Sequence, residues 1–137
     1  MSRYISRTEE DTLKIAAQFA KILKPGDIVA LHGTLGVGKT AFTRGVIQAL
    51  SDAKEVPSPT FTLLQTYDTA HFTLYHFDMY RLKSPEEAYE IGIEDAFADG
   101  VSFIEWPEKI GLLLPQKHID VSIEIKPDHR LITILGV

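Results

Sequence analysis

Residues 33–40 have the sequence Gly-Thr-Leu-Gly-Val-Gly-Lys-Thr, which matches the pattern G-x-x-x-x-G-K-[ST] of a phosphate-binding loop. The preceding residues 27–32 are a short apolar run that predicts a buried strand, and residues 41–50 carry apolar side chains at helical spacing. A strand that enters a glycine turn and opens a helix directs backbone N–H groups and the positive end of the helix dipole at one anion. In this motif Lys39 binds the β- and γ-phosphates, and the Thr40 hydroxyl is a ligand of Mg²⁺.

The motif predicts a set of nucleotide contacts along the loop and the first turn of the helix. The glycines allow backbone angles that other residues avoid, and they let the backbone come close to the phosphates. The alternative is an ordinary glycine turn with a solvated lysine, but the strand before it and the helix after it favour a nucleotide site. The expected contacts are Leu35, Gly36, Val37, Gly38, Lys39, Thr40 and Ala41.

Length and composition limit what this site belongs to. The 137 residues predict one domain, residues 1–137, with 45% apolar and 24% charged residues, as is usual for a globular protein. There is no apolar run long enough to span a membrane, and the first residues lack the apolar segment of a signal peptide. The absence of cysteine excludes disulfides and is compatible with the cytosol, so we expect a cytoplasmic protein. The net charge of −5 argues against independent binding to nucleic acid.

The pattern of strands and helices predicts an α/β fold of the P-loop type. Residues 61–67 and 72–80 are rich in aromatic and β-branched residues and predict a hairpin. Residues 119–125 and 131–135 predict a second hairpin near the end of the chain. We therefore expect a three-layer sandwich, in which a mixed sheet with a parallel centre and antiparallel hairpin additions has helices on both faces.

Two carboxylates stand out at the ends of predicted strands. Asp78 shares a strand face with His76, and the pattern leaves two roles open: a buried acceptor for backbone donors, or a general base or metal-associated acid. Glu105 ends the apolar run 101–106, where P-loop proteins have the carboxylate that completes the Mg²⁺ shell. We favour that metal role for Glu105 over a solvated charge at the end of a strand.

Two other groups of residues have a simpler interpretation. His32 and His76 are interpreted as packed, hydrogen-bonded histidines, because the chain has no regular metal-ligand spacing. The loop 51–60 ends in Val-Pro-Ser-Pro-Thr, whose prolines favour a stiff, extended lead to the next strand. The alternative is a switch-like segment in which the hydroxyl of Thr60 or Thr62 senses the γ-phosphate or its metal.

Together, five short motifs resemble the bacterial TsaE family, which is also called YjeE. They are G-T-L-G-V-G-K-T at 33–40, S-P-T-F-T-L at 58–63, H-F-D-M-Y-R at 76–81, E-E at 86–87 and E-W-P at 105–107. They occur in this order and extend over nearly the whole chain. The motifs H-F-D-M-Y-R and E-W are more specific than the phosphate loop alone.

The resemblance implies a small Mg²⁺-dependent P-loop ATPase in the machinery that makes N6-threonylcarbamoyladenosine at position 37 of tRNAs. It implies a TsaB–TsaD pair as partner and contact with tRNA only through that complex. By position, Lys39 and Thr40 match the family's phosphate and Mg²⁺ residues, Glu105 its metal-associated acid and Asp78 an acid needed for activity. The region near Glu9 matches the part of the family that contacts the adenine end of ATP.

The chain departs from the family pattern at two positions in the loop. Thr34 stands where Asp is usual, and Ala41 stands where a second Thr is common. The change at Thr34 removes a negative charge from the phosphate loop, so it affects any role of that acid in ATP affinity. Lys39 and Thr40 are unchanged.

Two other classes of P-loop protein can be compared with the sequence. A Ras-like GTPase needs N-K-x-D and D-x-x-G, but the chain has no asparagine and no aspartate with a glycine three residues later. A small-molecule kinase remains the alternative, although such kinases need an acceptor-binding subdomain and usually a basic lid. The predicted helices after the phosphate loop are acidic, which favours the ATPase.

Overall fold

A computed structural model of the chain describes residues 1–34 and 36–137. Within these residues the chain forms seven strands, which all belong to one sheet. The strands are β1 (Ser2–Ser6), β2 (Ile28–His32), β3 (Leu64–Asp68), β4 (Thr73–Asp78), β5 (Val101–Glu105), β6 (Ile119–Ile125) and β7 (Arg130–Leu135).

Four α-helices and one 3₁₀ segment connect these strands in the described residues. They are α1 (Glu9–Ala20), α2 (Lys39–Leu50), α3 (Glu87–Glu90), α4 (Ile93–Asp99) and the 3₁₀ segment Pro107–Leu113, which is interrupted at Gly111. The side chain of Thr8 caps α1 by accepting a hydrogen bond from the N–H of Asp11, and three acids follow in the first turn.

The strand order is β1-β7-β6-β2-β5-β4-β3. Strands β6, β2, β5 and β4 are parallel neighbours, whereas β3, β7 and β1 are added in antiparallel orientation. The predicted α/β fold with a parallel centre and hairpin additions is therefore confirmed. Because the carboxyl ends of parallel strands meet at one edge, Leu31, Asp78 and Glu105 lie side by side in the ladder.

Helices cover the two faces of the sheet and create two cores. On one face α1 and α2 pack against each other and against the central strands, with Phe19, Phe42 and Phe103 in a tilted or edge-on aromatic cluster. On the other face α3, α4 and the 3₁₀ segment cover β5 and β4, and the buried residues there include Phe77, Ile104 and Ile110. Strand β2 is buried on both sides, so its almost continuous apolar sequence follows from its central position.

The sequence predicted the elements better than their ends. The predicted strand 61–67 begins three residues later, at Leu64, because residues 59–63 form a turn in which Leu63 has a φ of 68°. The predicted strand 72–80 ends at Asp78, and the next two residues leave the sheet.

None of the helices in the described parts of the chain combines the length and the apolar character needed to span a lipid bilayer.

Close contact between α1 and α2 depends on Gly45. A Cβ atom at this position would lie 2.7 Å from the Cβ of Ala16 and 3.0 Å from backbone atoms of Leu13. We expect Gly45→Ala to lower the free energy of unfolding by about 1–3 kcal/mol, although alanine has the higher helix propensity, because the helices must move apart. Urea unfolding measures this, with Gln18→Ala on the exposed side of α1 as control, for which we expect a change within about 0.5 kcal/mol. An unchanged or increased stability of Gly45→Ala would contradict this packing.

Candidate nucleotide site

The phosphate loop connects the end of β2 to the start of α2, as the sequence predicted. Gly33 has a φ of 147°, and a Cβ there would lie 2.8 Å from the carbonyl oxygen of Ile123 on β6. Gly38 has a φ of 115° at the position that precedes α2. Both positions therefore require glycine. The predicted contact Leu35 lies outside the described residues.

Lys39 is held in the interior of this loop. Its side chain is almost completely buried, its Nζ donates a hydrogen bond of 2.8 Å to the carbonyl oxygen of Gly33, and it lies 3.9 Å from the ring centroid of Trp106. Burial lowers the pKa of Lys39, and the negative charges of Glu105 and Asp78 oppose this change. Burial is the larger effect, so the ammonium group lacks part of the stabilisation that water would supply. A phosphate oxygen close to Nζ would restore it.

Trp106 reaches Lys39 because the chain turns sharply after β5. Trp106 has a φ of 58°, which is uncommon for a residue other than glycine, and its ring packs against Tyr80 with centroids 4.9 Å apart. Backbone strain of this kind persists where the surrounding structure holds it, often at functional sites. The turn brings the single tryptophan of the chain into contact with Lys39 of the loop.

Glu105 links the end of β5 to the first turn of α2. It is 4% exposed, and its Oε2 accepts hydrogen bonds from Thr40 Oγ1 at 3.3 Å and from His76 Nε2 at 2.7 Å. The predicted proximity of Thr40 and Glu105 is therefore present, although they are 65 residues apart in the chain. The prediction that His76 is a packed, hydrogen-bonded histidine agrees with this contact.

Asp78 lies beside Glu105 and is also almost completely buried. Its Oδ1 accepts from the backbone N–H of Tyr80 at 2.9 Å, and its Oδ2 accepts from Thr60 Oγ1 at 3.0 Å. Asp78 thus accepts a backbone hydrogen bond, as one of the two roles left open by the sequence requires, and it also faces the site. Of the two threonines that the sequence suggested as sensors, Thr60 reaches this acid, whereas Thr62 accepts a bond from Gln65.

A cavity of about 210 Å³ joins these groups on one side of the loop. Lys39, Thr40 and both candidate acids line it at the carboxyl end of the parallel strands. Its lining residues are Gly36, Gly38, Lys39, Thr40, Ala41, Ser58, Thr60, Asp78, Glu105 and Trp106.

A larger cavity of about 420 Å³ lies on the other side of the loop. Its walls are the start of α1 and the turn between β6 and β7. Glu9 lies in this wall and forms an ion pair with Arg44 of α2, so the structure brings Glu9 to the loop. The lining residues are Ser6, Arg7, Thr8, Glu9, Thr12, Gly36, Val37, Gly38, Ala41, Lys126, Pro127, Asp128, His129 and Arg130.

Arg130 is a site residue that the sequence did not reveal. It lies at the start of β7, and its Nε donates a hydrogen bond of 2.8 Å to the carbonyl oxygen of Val37 in the phosphate loop. The two residues are 93 positions apart, and only the antiparallel addition of β7 to the sheet brings them together. The predicted hairpin at 119–125 and 131–135 was the only signal that pointed to this region.

The other histidine singled out from the sequence is likewise hydrogen-bonded. His32 Nε2 lies 2.7 Å from Asp120 Oδ1, at the end of β2. Among the described residues there is no group of three or more His, Asp or Glu side chains that could hold a metal ion. His32 is therefore hydrogen-bonded, but its side chain is 37% exposed, so it is only partly packed.

The fold and the loop define a nucleotide-binding protein of the P-loop class, and comparisons with known proteins identify its family. The family model of the threonylcarbamoyl adenosine biosynthesis protein TsaE matches residues 6–132. The chain belongs to the TsaE family.

Proteins similar to this chain come from several bacteria. A Rickettsia bellii protein named tRNA threonylcarbamoyladenosine biosynthesis protein TsaE is 49% identical over 130 residues, which are 94% of this chain and 90% of that protein. A Treponema pallidum protein of the same name is 38% identical, over 96% of this chain and 98% of that protein. The crystal structure of YdiB from Bacillus subtilis has a TM-score of 0.81 at 33% identity, and the match covers 97% of this chain and 83% of YdiB.

The contact between Lys39 and Trp106 predicts an optical response to anions. Pyrophosphate bound in the loop should draw the ammonium group of Lys39 towards itself and change the emission of Trp106, the only tryptophan. We expect the response in the wild type and its loss in Lys39→Met, measured by fluorescence titration. The control is Lys109→Met, since Lys109 lies over Tyr80 at 6.0 Å rather than over Trp106. An equal response in Lys39→Met would contradict this arrangement.

Proposed function

We propose that this chain, acting as a single domain, binds ATP with Mg²⁺ and hydrolyses it, and that this activity supports N6-threonylcarbamoylation of adenosine 37 in tRNA. In this proposal the chain works in the cytoplasm with a TsaB–TsaD pair and meets tRNA only through that complex. The main support is the arrangement of two cavities that adjoin at the phosphate loop, together with membership of the TsaE family.

The two cavities share Gly36, Gly38 and Ala41, so one ligand can extend from one cavity to the other along the loop. The smaller cavity contains the lysine and the acids that suit a triphosphate and its metal. The larger cavity is wide enough for a base and ribose, and Glu9 lines it. A nucleoside triphosphate therefore fits with its phosphates against Lys39 and its base between α1 and the turn of β6 and β7.

The residues beside the loop fit Mg²⁺ through their chemistry. The Thr40 hydroxyl and the Glu105 carboxylate are oxygen donors, and Thr40 Oγ1 is 3.3 Å from Glu105 Oε2. Magnesium usually takes one or two protein oxygens and completes its shell with phosphate oxygens and water. Bound there, it would neutralise charge on the β- and γ-phosphates.

Lys39 and Asp78 have separate roles in the proposed hydrolysis. Lys39 binds the phosphates and stabilises the negative charge that develops during transfer of the γ-phosphoryl group. Asp78 already accepts bonds from Thr60 and Tyr80, but a carboxylate has about four acceptor positions, so it can also hold an attacking water. Thr60 then couples Asp78 to the proline-containing loop before β3.

The link to tRNA modification rests on the relatives, which are named tRNA threonylcarbamoyladenosine biosynthesis proteins. These names favour the ATPase role over the small-molecule kinase that the sequence left as an alternative. The net charge of −5 is unfavourable for direct binding to tRNA, so contact through partner proteins is the better explanation.

Fast ATPases often use an arginine to stabilise the charge that develops during phosphoryl transfer. No arginine is among the described residues that line the smaller cavity, and Arg44 is engaged with Glu9. Next to the cavity, Phe61 is 84% exposed and Tyr80 is 49% exposed. An incomplete set of positive charges beside exposed aromatic side chains supports completion of the site by a partner protein.

The roles of the two acids can be separated by substitution. Asp78→Ala should retain ATP binding but lower the turnover rate roughly 10²- to 10⁴-fold, because its proposed role is exerted during hydrolysis. Glu105→Ala should raise the Mg²⁺ concentration needed for half-maximal activity roughly tenfold or more. Calorimetry measures binding and phosphate release measures turnover. Equal loss of ATP affinity in both variants would contradict this division, and a wild type that does not bind millimolar Mg-ATP would overturn the proposed function.

The proposal also predicts a slow ATPase that its partners accelerate. An arginine supplied by another protein can increase the rate of phosphoryl transfer by on the order of 10³ to 10⁵. We expect slow phosphate release by the chain alone and a much faster rate with the TsaB–TsaD pair. The chain with bovine serum albumin is the matched control. A fast rate that the pair leaves unchanged would argue against partner activation, and efficient transfer of phosphate to a metabolite would favour a kinase.

A further inference from the structure

His76 is completely buried, and its ring has one polar contact among the described residues. Its Nε2 is 2.7 Å from Glu105 Oε2, whereas its Nδ1 is buried without a hydrogen-bond partner in the part of the chain that the structure describes. Since a carboxylate can only accept, Nε2 carries the hydrogen of this bond. Among the described residues, the imidazole of His76 therefore makes one hydrogen bond, which it donates to Oε2 of Glu105.

His76 has both polar and apolar neighbours: Asp78 shares its strand face and Gln65 lies opposite it on β3, but neither is a hydrogen-bond partner of Nδ1 in the described part of the chain. Leu74 lies on the same face of the strand, and Phe103 is its direct neighbour on β5; both are completely buried. A buried polar atom without a hydrogen-bond partner destabilises the fold, and His76 Nδ1 is an atom of this kind in the described part of the chain. Core packing alone does not explain a histidine here, because an apolar side chain would fill the same space without this cost.

The contact determines which oxygen of Glu105 remains available. Oε2 is used by His76 and Thr40, whereas Oε1 accepts no hydrogen bond from the described residues and is not among the buried atoms that lack a partner. Glu105 lines the smaller cavity, so Oε1 is the oxygen left for that cavity. A carboxylate with one oxygen held on two sides has lost most of its freedom to rotate.

We propose that His76 is the positioning residue of Glu105: its Nε2–H holds Oε2, so that Oε1 faces the nucleotide-bound metal. Partners of this kind, which bind a ligand side chain rather than the ion, typically change metal affinity by about 10- to 100-fold when removed. The proposal deepens the proposed function and rests on it, since it assumes that the cavity holds a metal–nucleotide complex. It assigns to the histidine of H-F-D-M-Y-R a task distinct from that of Asp78.

Three substitutions at this position separate positioning from packing. His76→Leu keeps an apolar side chain but removes the donor. His76→Gln keeps an N–H donor at about the distance of Nε2 from the backbone, and His76→Asn has the same amide group on a shorter side chain. The matched control is His118→Leu, because His118 also bonds a carboxylate, Asp120, at 3.0 Å but does not line the smaller cavity.

The readout is binding of Mn²⁺ in the presence of saturating ADP, followed by the electron paramagnetic resonance signal of the free ion. Mn²⁺ serves as the probe because it shares the oxygen ligands of Mg²⁺. We expect His76→Leu and His76→Asn to raise the dissociation constant of Mn²⁺ roughly tenfold or more, while the affinity for ADP in EDTA stays within twofold of the wild type. His76→Gln should recover most of the Mn²⁺ affinity, and His118→Leu should match the wild type.

The outcomes distinguish this inference from the proposed function. A wild type that binds no Mn²⁺ with ADP would overturn the proposed metal–nucleotide site itself. If the wild type binds and His76→Leu binds Mn²⁺ equally well, or loses ADP affinity in EDTA to the same extent, His76 has only a packing role. If thermal unfolding shows that His76→Leu does not fold, the Gln and Asn variants decide: equal Mn²⁺ affinities for these two contradict positioning, and recovery by Gln alone supports it.

Discussion

The parallel pairing of β2 with β5 is the constraint on which the candidate site depends. The phosphate loop begins just after β2, and Glu105 ends β5 opposite Leu31, so the ladder sets the distance between the loop and this acid. Both strands are buried between two layers of helices, and a shift of one residue would turn their side chains to the opposite faces. The register is therefore determined by the core, and the core in turn determines where Thr40 meets Glu105.

Charge balance is the second feature that unites the site. Lys39, Asp78 and Glu105 are all almost completely buried around a small cavity, and the two acids oppose the effect of burial on the lysine. Such a group of charges is stable only when each member has partners. Gly33 and the ring of Trp106 supply them for Lys39, whereas Thr60 and Tyr80 supply hydrogen bonds to Asp78.

The antiparallel additions to the sheet complete the other side of the loop. Strand β7 pairs with both β6 and β1, and this brings Arg130 to the carbonyl oxygen of Val37. The same arrangement forms the larger cavity between the start of α1 and the turn after β6. The parallel centre thus supports the smaller cavity, and the hairpin supports the larger one.

Local patterns were sufficient for the elements and for the residues of the phosphate loop. The strand before the loop, the helix from Lys39 and both hairpins depend on short-range periodicity and turn chemistry, which are visible in the residues themselves. The parallel centre and the candidate metal acid Glu105 could also be predicted, because a strand-end carboxylate has a regular position in P-loop folds. The strand predicted from residue 61 begins late because residues 59–63 form a turn, which the apolar pattern did not reveal.

Only the tertiary structure decided which distant side chains meet at the site. His76 contacts Glu105 across two strands that are separated in sequence by α3 and α4, and Arg130 reaches the loop from the last strand. Neither contact has a local signature, because hydrogen bonds between distant segments depend on strand order and register. The sequence by itself determined the motif of the phosphate loop and the class of fold, whereas packing of the sheet determined that Thr40 and His76 meet at Oε2 of Glu105.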